Sequence, residues 1–367
     1  MNAENLVVHK SIDYHCAFPH IIRLQNGDLV TLFREAPIHL GTSRTGNWIH
    51  GKSHFHRDPG SRNALVRSTD DGRTWNPDSH VMVYASDDVH DVNMGMISQL
   101  PSGELMINTM HFFVDPPEQQ FAELRSRRTH SAAMDRRFGI SAFDSLLFMR
   151  SADQGRTWGE PEPVYLPSLD YDSHSGKNGV VVLPDGTWLL PLHGSCAAGE
   201  SARSFVVRSR DEGRTWVEPS VIALDLKRSI EFSEPAMVLL PSGRLLAMMR
   251  SENYLNQAFS TDGGWVWQGL KRTPMWGFPP HLLPLADGRV LCTYGYRQEP
   301  FGVRAVLSTD EGETWDIENE IIIRGDGLHR DLGYPASIQL QDGRVLSIYY
   351  FSGEDGIRHI AGTIHTV

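Results

Sequence analysis

Arg67-Ser68-Thr69-Asp70-Asp71-Gly72-Arg73-Thr74-Trp75 is a phrase that the chain repeats, and its repetition decides the fold. It returns at residues 150–158, 208–216 and 307–315, and a degenerate copy at 259–267 keeps the Ser, Asp and Gly but loses the Thr. The shared frame is Ser-x-Asp-x-Gly-x-Thr-Trp, preceded each time by alternating apolar residues. This is the chemistry of a tight turn between strands. The Asp carboxylate can accept bonds from the turn's own N–H groups, the Gly supplies a positive φ, and the Trp packs between neighbouring units. Repetition at such intervals indicates stacked supersecondary units.

A second repeated unit precedes each turn. Residues 18–30, 94–106, 177–189, 234–246, 279–291 and 334–346 each read as an apolar strand, a Gly turn and a second apolar strand, which is a β-hairpin signature. Six hairpins predict six blades. After the sixth, residues 357–364 can form a third strand before the chain ends, and residues 5–9 are the natural source of the missing fourth. That closure removes a free sheet edge. The expectation is an all-β chain, one six-bladed β-propeller over residues 1–367 with four-stranded antiparallel blades.

The frame is that of the Asp-box, or bacterial neuraminidase repeat, so the chain resembles the sialidase superfamily of β-propellers along nearly its whole length. Asp-boxes specify architecture more than activity, because they also occur in lyases, other glycosidases and non-enzymatic propellers. The chemistry is therefore sought elsewhere, on the opposite face.

Composition narrows the choice. The formal charge of −11 argues against a nucleic-acid or anionic-membrane binder. Cys16, Cys196 and Cys292 are odd in number and far apart, so they imply no disulfide framework. Neither a leader-like segment nor an apolar run long enough to span a bilayer is visible, and a cytoplasmic location is expected.

Antiparallel order puts the Gly turns and the repeated Asp turns on one face, and the starts of first strands on the other. Two long connections, residues 35–61 and 113–144, lie on that second face, where long loops on a rigid scaffold build sites. The second carries Arg125, Arg127, Arg128, Arg136 and Arg137. Nine residues before each turn Gly come Phe18, Met94, Lys177, Glu234, Pro279 and Tyr334. Seven residues after it come Arg34, Met110, His193, Arg250, Gly295 and Tyr350, with His111 and Arg297 just beyond. Core packing does not ask for such a ring of charged and polar groups.

The resemblance assigns roles to several of them. Ser233-Glu234-Pro235 matches the segment with the Glu beside the nucleophile, and Gly333-Tyr334-Pro335 falls where the family has its nucleophilic Tyr. Asp58, in Arg57-Asp58-Pro59-Gly60, matches the loop Asp that acts as acid and base. Arg250 matches a carboxylate-binding arginine, and Arg297 is the plausible second, with Arg304 as its competitor. Asn93, Lys177, His111 and His193 complete the candidate substrate-binding set. The expected reaction is exo-hydrolysis of a terminal acidic sugar.

One departure stands out. The family's first strand begins Arg-Ile-Pro, whereas this chain has Ala17-Phe18-Pro19, so the first of three carboxylate ligands is absent. Arg34 occupies in blade 1 the level of Arg250 in blade 4 and is the expected substitute, unless it pairs with a local acid. A His base, His111 or His193, would instead suit a uronate lyase, and a non-catalytic sugar-binding propeller is the third possibility. Blade 1 contributes His15, His20, His39, His50, His54 and His56, but His54-Phe55-His56 lacks metal-ligand spacing. The expected partner is a carbohydrate with a carboxylate, with no cofactor, metal, nucleic acid or membrane.

Overall fold

The structure, a computed structural model, describes residues 3–37, 58–114, 132–135, 139–164, 166, 174–195, 201–227 and 229–367. Six antiparallel sheets form the blades of a β-propeller, with the innermost strands of adjacent blades packed on one another. Blade 1 runs outward through Tyr14–Arg23, Leu29–Pro37, Arg62–Ser68 and Asn76–Ala85. Its second strand is buried at every position, because neighbouring blades cover both faces, while no residue of its outer strand is fully buried. Among the described residues there is no helix, and so none long and apolar enough to cross a membrane.

The ring closes as the sequence predicts. Glu4–His9 pairs antiparallel with Arg358–His365, with Glu4 opposite Ile364 and Val7 opposite Ala361. Leu6 lies over Gly362, where an added Cβ would come within 2.9 Å of the Leu6 side chain. The Thr363 hydroxyl donates to Asn5 Oδ1 at 2.7 Å. The first strand of the chain thus becomes the outer strand of blade 6.

The repeated turns are built alike. In the first, Ser68 Oγ accepts the Gly72 N–H at 3.0 Å and donates to Asp70 Oδ1 at 2.8 Å. Asp70 accepts the Thr74 N–H and hydroxyl at 2.9 and 2.6 Å. The copies at Asp153, Asp211 and Asp310 repeat both Thr bonds. Bonds from the Thr157 hydroxyl and amide hold the Asp153 carboxyl well below the usual carboxylate range. Gly72 sits at φ 81°, and a Cβ there would meet Leu346 of blade 6 at 2.6 Å. Its bareness lets the turn pack on the preceding blade.

The Arg that opens the repeated phrase fastens the following blade. Arg67 donates to the Gln154 carbonyl, Arg150 to that of Glu212, and Arg208 to that of Gly263 at 3.2 Å. In blade 4 that position is Phe259, and Gln257 takes over by donating to the Gly312 carbonyl at 2.8 Å.

Blade 3 departs from the expected hairpin. Its first strand is split into His174–Ser175 and Val181–Val182, with Lys177 in the gap. The partner strand contains Pro191, which has no N–H to offer the ladder. The Lys177 N–H donates instead to the Pro235 carbonyl of blade 4 at 2.8 Å.

The degenerate turn provides a test of this architecture. Val266 supplies only its N–H to Asp262, at 3.0 and 3.2 Å, so the hydroxyl bond of the other copies is missing. Val266→Thr should raise the unfolding free energy by about 0.5–1 kcal/mol, and Thr157→Val should lower it by about as much. Urea titration of both variants measures this, and equal midpoints would show that the hydroxyl contributes nothing.

Candidate functional site

On the face opposite the repeated turns, three innermost strands are distorted at one level. Phe18, Glu234 and Tyr334 have φ of 56°, 49° and 51°, and pairing slips between Ala17 and His20, Ser233 and Ala236, and Gly333 and Ala336. A proline follows each of the three, so the ladder lacks a donor there and a bulge forms without sacrificing a bond. Positive φ at a non-glycine residue costs about 1–3 kcal/mol and marks positions that the surroundings force. Here the distortion brings side chains of different blades together.

The Tyr334 hydroxyl donates to Glu234 Oε1, although the two residues lie 100 positions apart on non-adjacent blades. Arg250 Nη1 donates to Glu234 Oε2 at 3.0 Å. Burial pushes the Glu234 carboxyl up, but Arg250, the Tyr334 hydroxyl and His193 together take it below its ordinary value. Burial and the Glu234 charge push the Tyr334 phenol well up, against the pull of Arg250 and Arg297. At neutral pH the pair is therefore a carboxylate accepting from a neutral phenol. Burial disfavours the Arg250 charge, and Glu234 more than restores it.

The remaining wall is aromatic and cationic. Arg250 and Arg297 lie over the Phe278 ring at 4.1 and 5.2 Å, and Arg297 lies 5.6 Å from the Tyr334 ring centre. Arg297 donates to the Leu332 carbonyl and the Tyr350 hydroxyl, both at 3.2 Å. Tyr350 in turn donates to Asp331 at 2.8 Å. Phe18 packs edge-on against Tyr334, with ring centres 4.7 Å apart. Arg304 points elsewhere, pairing with Glu320 and stacking on Tyr296.

Lys177 is the anomaly of the site. It is fully buried, its Nζ has no hydrogen-bond partner among the described residues, and it lies 5.0 Å from the Tyr334 ring centre. Burial lowers it to about 8, even though Glu234 pulls the other way. Burial, with a smaller contribution from the Lys177 charge, depresses His20 and His281, whose rings stand 6.2 Å apart.

The other candidates form separate groups. Arg34 is fully buried and donates to Asp91 at 2.5 Å, Asp58 at 3.0 Å and the Val92 carbonyl at 2.9 Å. Its bonds are thus those of a local ion pair at the foot of the first long connection, and none goes toward Arg250. Asn93 Nδ2 donates to Asp91 Oδ2 at 3.2 Å in the same group. His111 bonds through Nδ1 to Asp144 at 2.9 Å and stacks on His90 at 4.5 Å. His193 meets His174 edge-on at 5.0 Å and lines a cavity of about 210 Å³ with Ser195, Ser201 and Glu231. Arg125, Arg127, Arg128, Arg136 and Arg137, with His39, His50, His54, His56 and Cys196, lie outside the described residues.

Sequence reasoning passed over Phe278 and Asp331 and did not give Tyr350 a role. Tyr350 could have been found from its register level. Phe278 could have been found from its place beside Pro279. Asp331 lies on a connection, where no register applies.

Comparison with known proteins places the fold. The family described as BNR repeat-like domain matches residues 108–347. No curated protein sequence matches the chain. Among solved structures, a protein of unknown function from Dyadobacter fermentans DSM 18053 is 28% identical, with a TM-score of 0.84 over 99% of this chain and 98% of that one. The NanB sialidase from Streptococcus pneumoniae is 11% identical, with a TM-score of 0.67 over 99% of this chain and 70% of that one. An alpha-L-arabinanase from Penicillium chrysogenum is 14% identical, with a TM-score of 0.63 over 100% and 99%.

Lys177 yields a prediction with a definite sign. Its folded value near 8 lies below the ordinary 10.5, so between those values the unfolded chain binds a proton that the folded chain does not. Stability therefore rises with pH through that window, and below it the folded state carries a penalty of about 3 kcal/mol. Lys177→Met should raise the unfolding free energy at pH 7 by up to about 3 kcal/mol and flatten the slope above pH 8. Denaturant titrations at pH 7 and 9.5 check both, and a destabilised variant with an unchanged slope would refute the assignment.

Proposed function

The chain belongs to the BNR repeat-like domain family, and from that premise we propose that it is a glycoside hydrolase that releases a terminal acidic sugar, of the sialic acid class, from a glycoconjugate. Similarity to solved structures fixes only the propeller, whose neighbours include both sialidases and an arabinanase. The observation that carries the reading is the hydrogen bond from the Tyr334 phenol to the ionised Glu234.

A phenol is a poor nucleophile unless a base removes its proton, and Glu234 is positioned to take it. A neutral nucleophile also has a particular use. A sugar with a carboxylate beside its anomeric carbon repels an attacking carboxylate but not a phenol. Attack by Tyr334 forms a bond from its oxygen to that carbon, the glycosidic bond breaks, and the leaving oxygen takes a proton. Asp58 is assigned as the donor. To act so it must leave Arg34, which retains Asp91 as its partner. Water then displaces Tyr334 from that carbon, and the phenol recovers its proton from Glu234.

Arg250 uses one Nη1 on Glu234 and has further N–H groups for a substrate carboxylate. Arg297 lies on the same wall. With Ala17 where a third arginine would stand and Arg34 held by two aspartates, the site works with two arginines. Lys177 adds a cation beneath the Tyr334 ring.

A lyase acting on uronates is the second reading, favoured by one observation. His111 is oriented by Asp144 through Nδ1, and its buried Nε2 has no partner among the described residues. Such an imidazole suits proton abstraction.

Two assays on one preparation separate the readings: release of a fluorogenic aglycone from a sialoside, and ultraviolet absorbance of an unsaturated product from a polyuronate. Hydrolysis without unsaturated product is expected. Tyr334→Phe should lower kcat by about 10²–10⁴-fold. Arg250→Ala should lower kcat/KM by roughly 10–100-fold for the acidic substrate, the loss of one charge-assisted pair. Full activity in Tyr334→Phe would end the hydrolase reading, and unsaturated product abolished by His111→Ala would establish the lyase.

A further inference from the structure

A second cluster lies away from the axis, at the seam where the ring closes. His9 comes from the closing strand, Glu35 from the second strand of blade 1, and His80 from its outer strand. His9 Nε2 lies 2.8 Å from Glu35 Oε1 and His80 Nε2 lies 3.3 Å from Glu35 Oε2. The two imidazoles stack with ring centres 5.3 Å apart, and Phe33 stacks on His9 at 4.7 Å and lies 6.4 Å from the His80 ring. One ligand atom from each of the three residues falls within 4.8 Å of the others.

We propose that His9, Glu35 and His80 bind one divalent first-row transition ion, Zn²⁺ or a similar metal, which staples the closing strand to blade 1. The donor set, two imidazoles and one carboxylate, suits such ions and leaves a coordination position open for water. Ligand atoms around a tetrahedral ion with bonds near 2.0–2.1 Å stand about 3.3 Å apart. Two of the present separations already match that spacing or are shorter, so small side-chain rotations complete the site. Exposure supplies an entry path: Glu35 is 1% exposed, while His9 and His80 are 15% and 25% exposed. The sequence gives no hint of this, because the two histidines come from different blades.

Arg62 belongs to the same network. Its Nε donates to Glu35 Oε2 at 2.6 Å while its guanidinium lies 4.0 Å over the Tyr14 ring. It fixes the carboxylate and also competes for it, so the ion binds in exchange for hydrogen bonds that Glu35 already accepts.

The test uses the whole chain after chelator treatment. Titration with Zn²⁺ by calorimetry should give one ion per chain, and a hundredfold excess over the dissociation constant should raise the melting temperature by about 3 °C or more. Co²⁺ should produce visible absorption bands. His9→Gln and His80→Gln keep a hydrogen-bonding side chain near Glu35 while removing an imidazole, and their folding is checked by far-ultraviolet circular dichroism. Each should lose the Co²⁺ bands and the thermal shift, whereas His54→Ala/His56→Ala should retain both. Absence of binding, or binding that survives in the Gln variants and vanishes in the double variant, overturns the proposal. Neither result bears on the axial site, because none of Glu234, Arg250 or Tyr334 takes part.

Discussion

Pairing between the first strand and the last one is the constraint on which everything else depends. Glu4–His9 completes blade 6, the blade that carries Tyr334, by hydrogen-bonding to Arg358–His365. Glu234 stands on blade 4, so it meets Tyr334 only where a closed ring turns both blades toward one axis. An open ring would leave the outer edge of blade 6 unpaired and its innermost strand free to shift relative to blades 1 and 5. The arginine-to-carbonyl bonds between successive blades serve the same end from the opposite face. They fix the spacing of the blades where the turns are, and the strands carry that spacing to the other face.

Stability and site chemistry pull in opposite directions along those strands. Prolines after Phe18, Glu234 and Tyr334 interrupt the ladder and allow strained backbone just where side chains must turn inward. Lys177 sits in another interruption, opposite Pro191, with its ammonium group buried and without a hydrogen-bond partner among the described residues. A core built only for stability would place apolar residues at these positions. The costs are concentrated at one level of the ring, and the repeated hydrogen bonding of the turns lies at the other end.

This division explains how much was legible in the sequence. The turns, the six hairpins and the closing strand follow from local chemistry repeated in register, so counting was enough. Register brings Glu234, Arg250 and Tyr334 to one level, so their meeting was legible. Arg34 was at that level too, yet its bonds go to Asp58 and Asp91, and Asp91 comes from the adjacent blade, 57 positions away. Which acid captures a buried arginine depends on how two blades pack, and periodicity does not encode that. The broken strand at Lys177 has a visible cause in Pro191, but only once the two strands are known to be partners. The seam cluster needed three strands in space.

The charges around Glu234 suggest how the proposed reaction would couple binding to chemistry. Before reaction Glu234 is an anion bonded to both Tyr334 and Arg250. As the phenol attacks, its proton passes to Glu234, which becomes neutral. Arg250 then loses its internal counter-ion at the moment when the sugar ring develops positive charge and its carboxylate lies close by. The attraction between Arg250 and the substrate carboxylate is thereby strengthened in the transition state relative to the ground state, which is the kind of binding that accelerates a reaction. Arg297 has no carboxylate among its hydrogen-bond partners in the described residues and in the proposed reaction would hold the substrate throughout, so the two arginines would divide the work between orientation and acceleration.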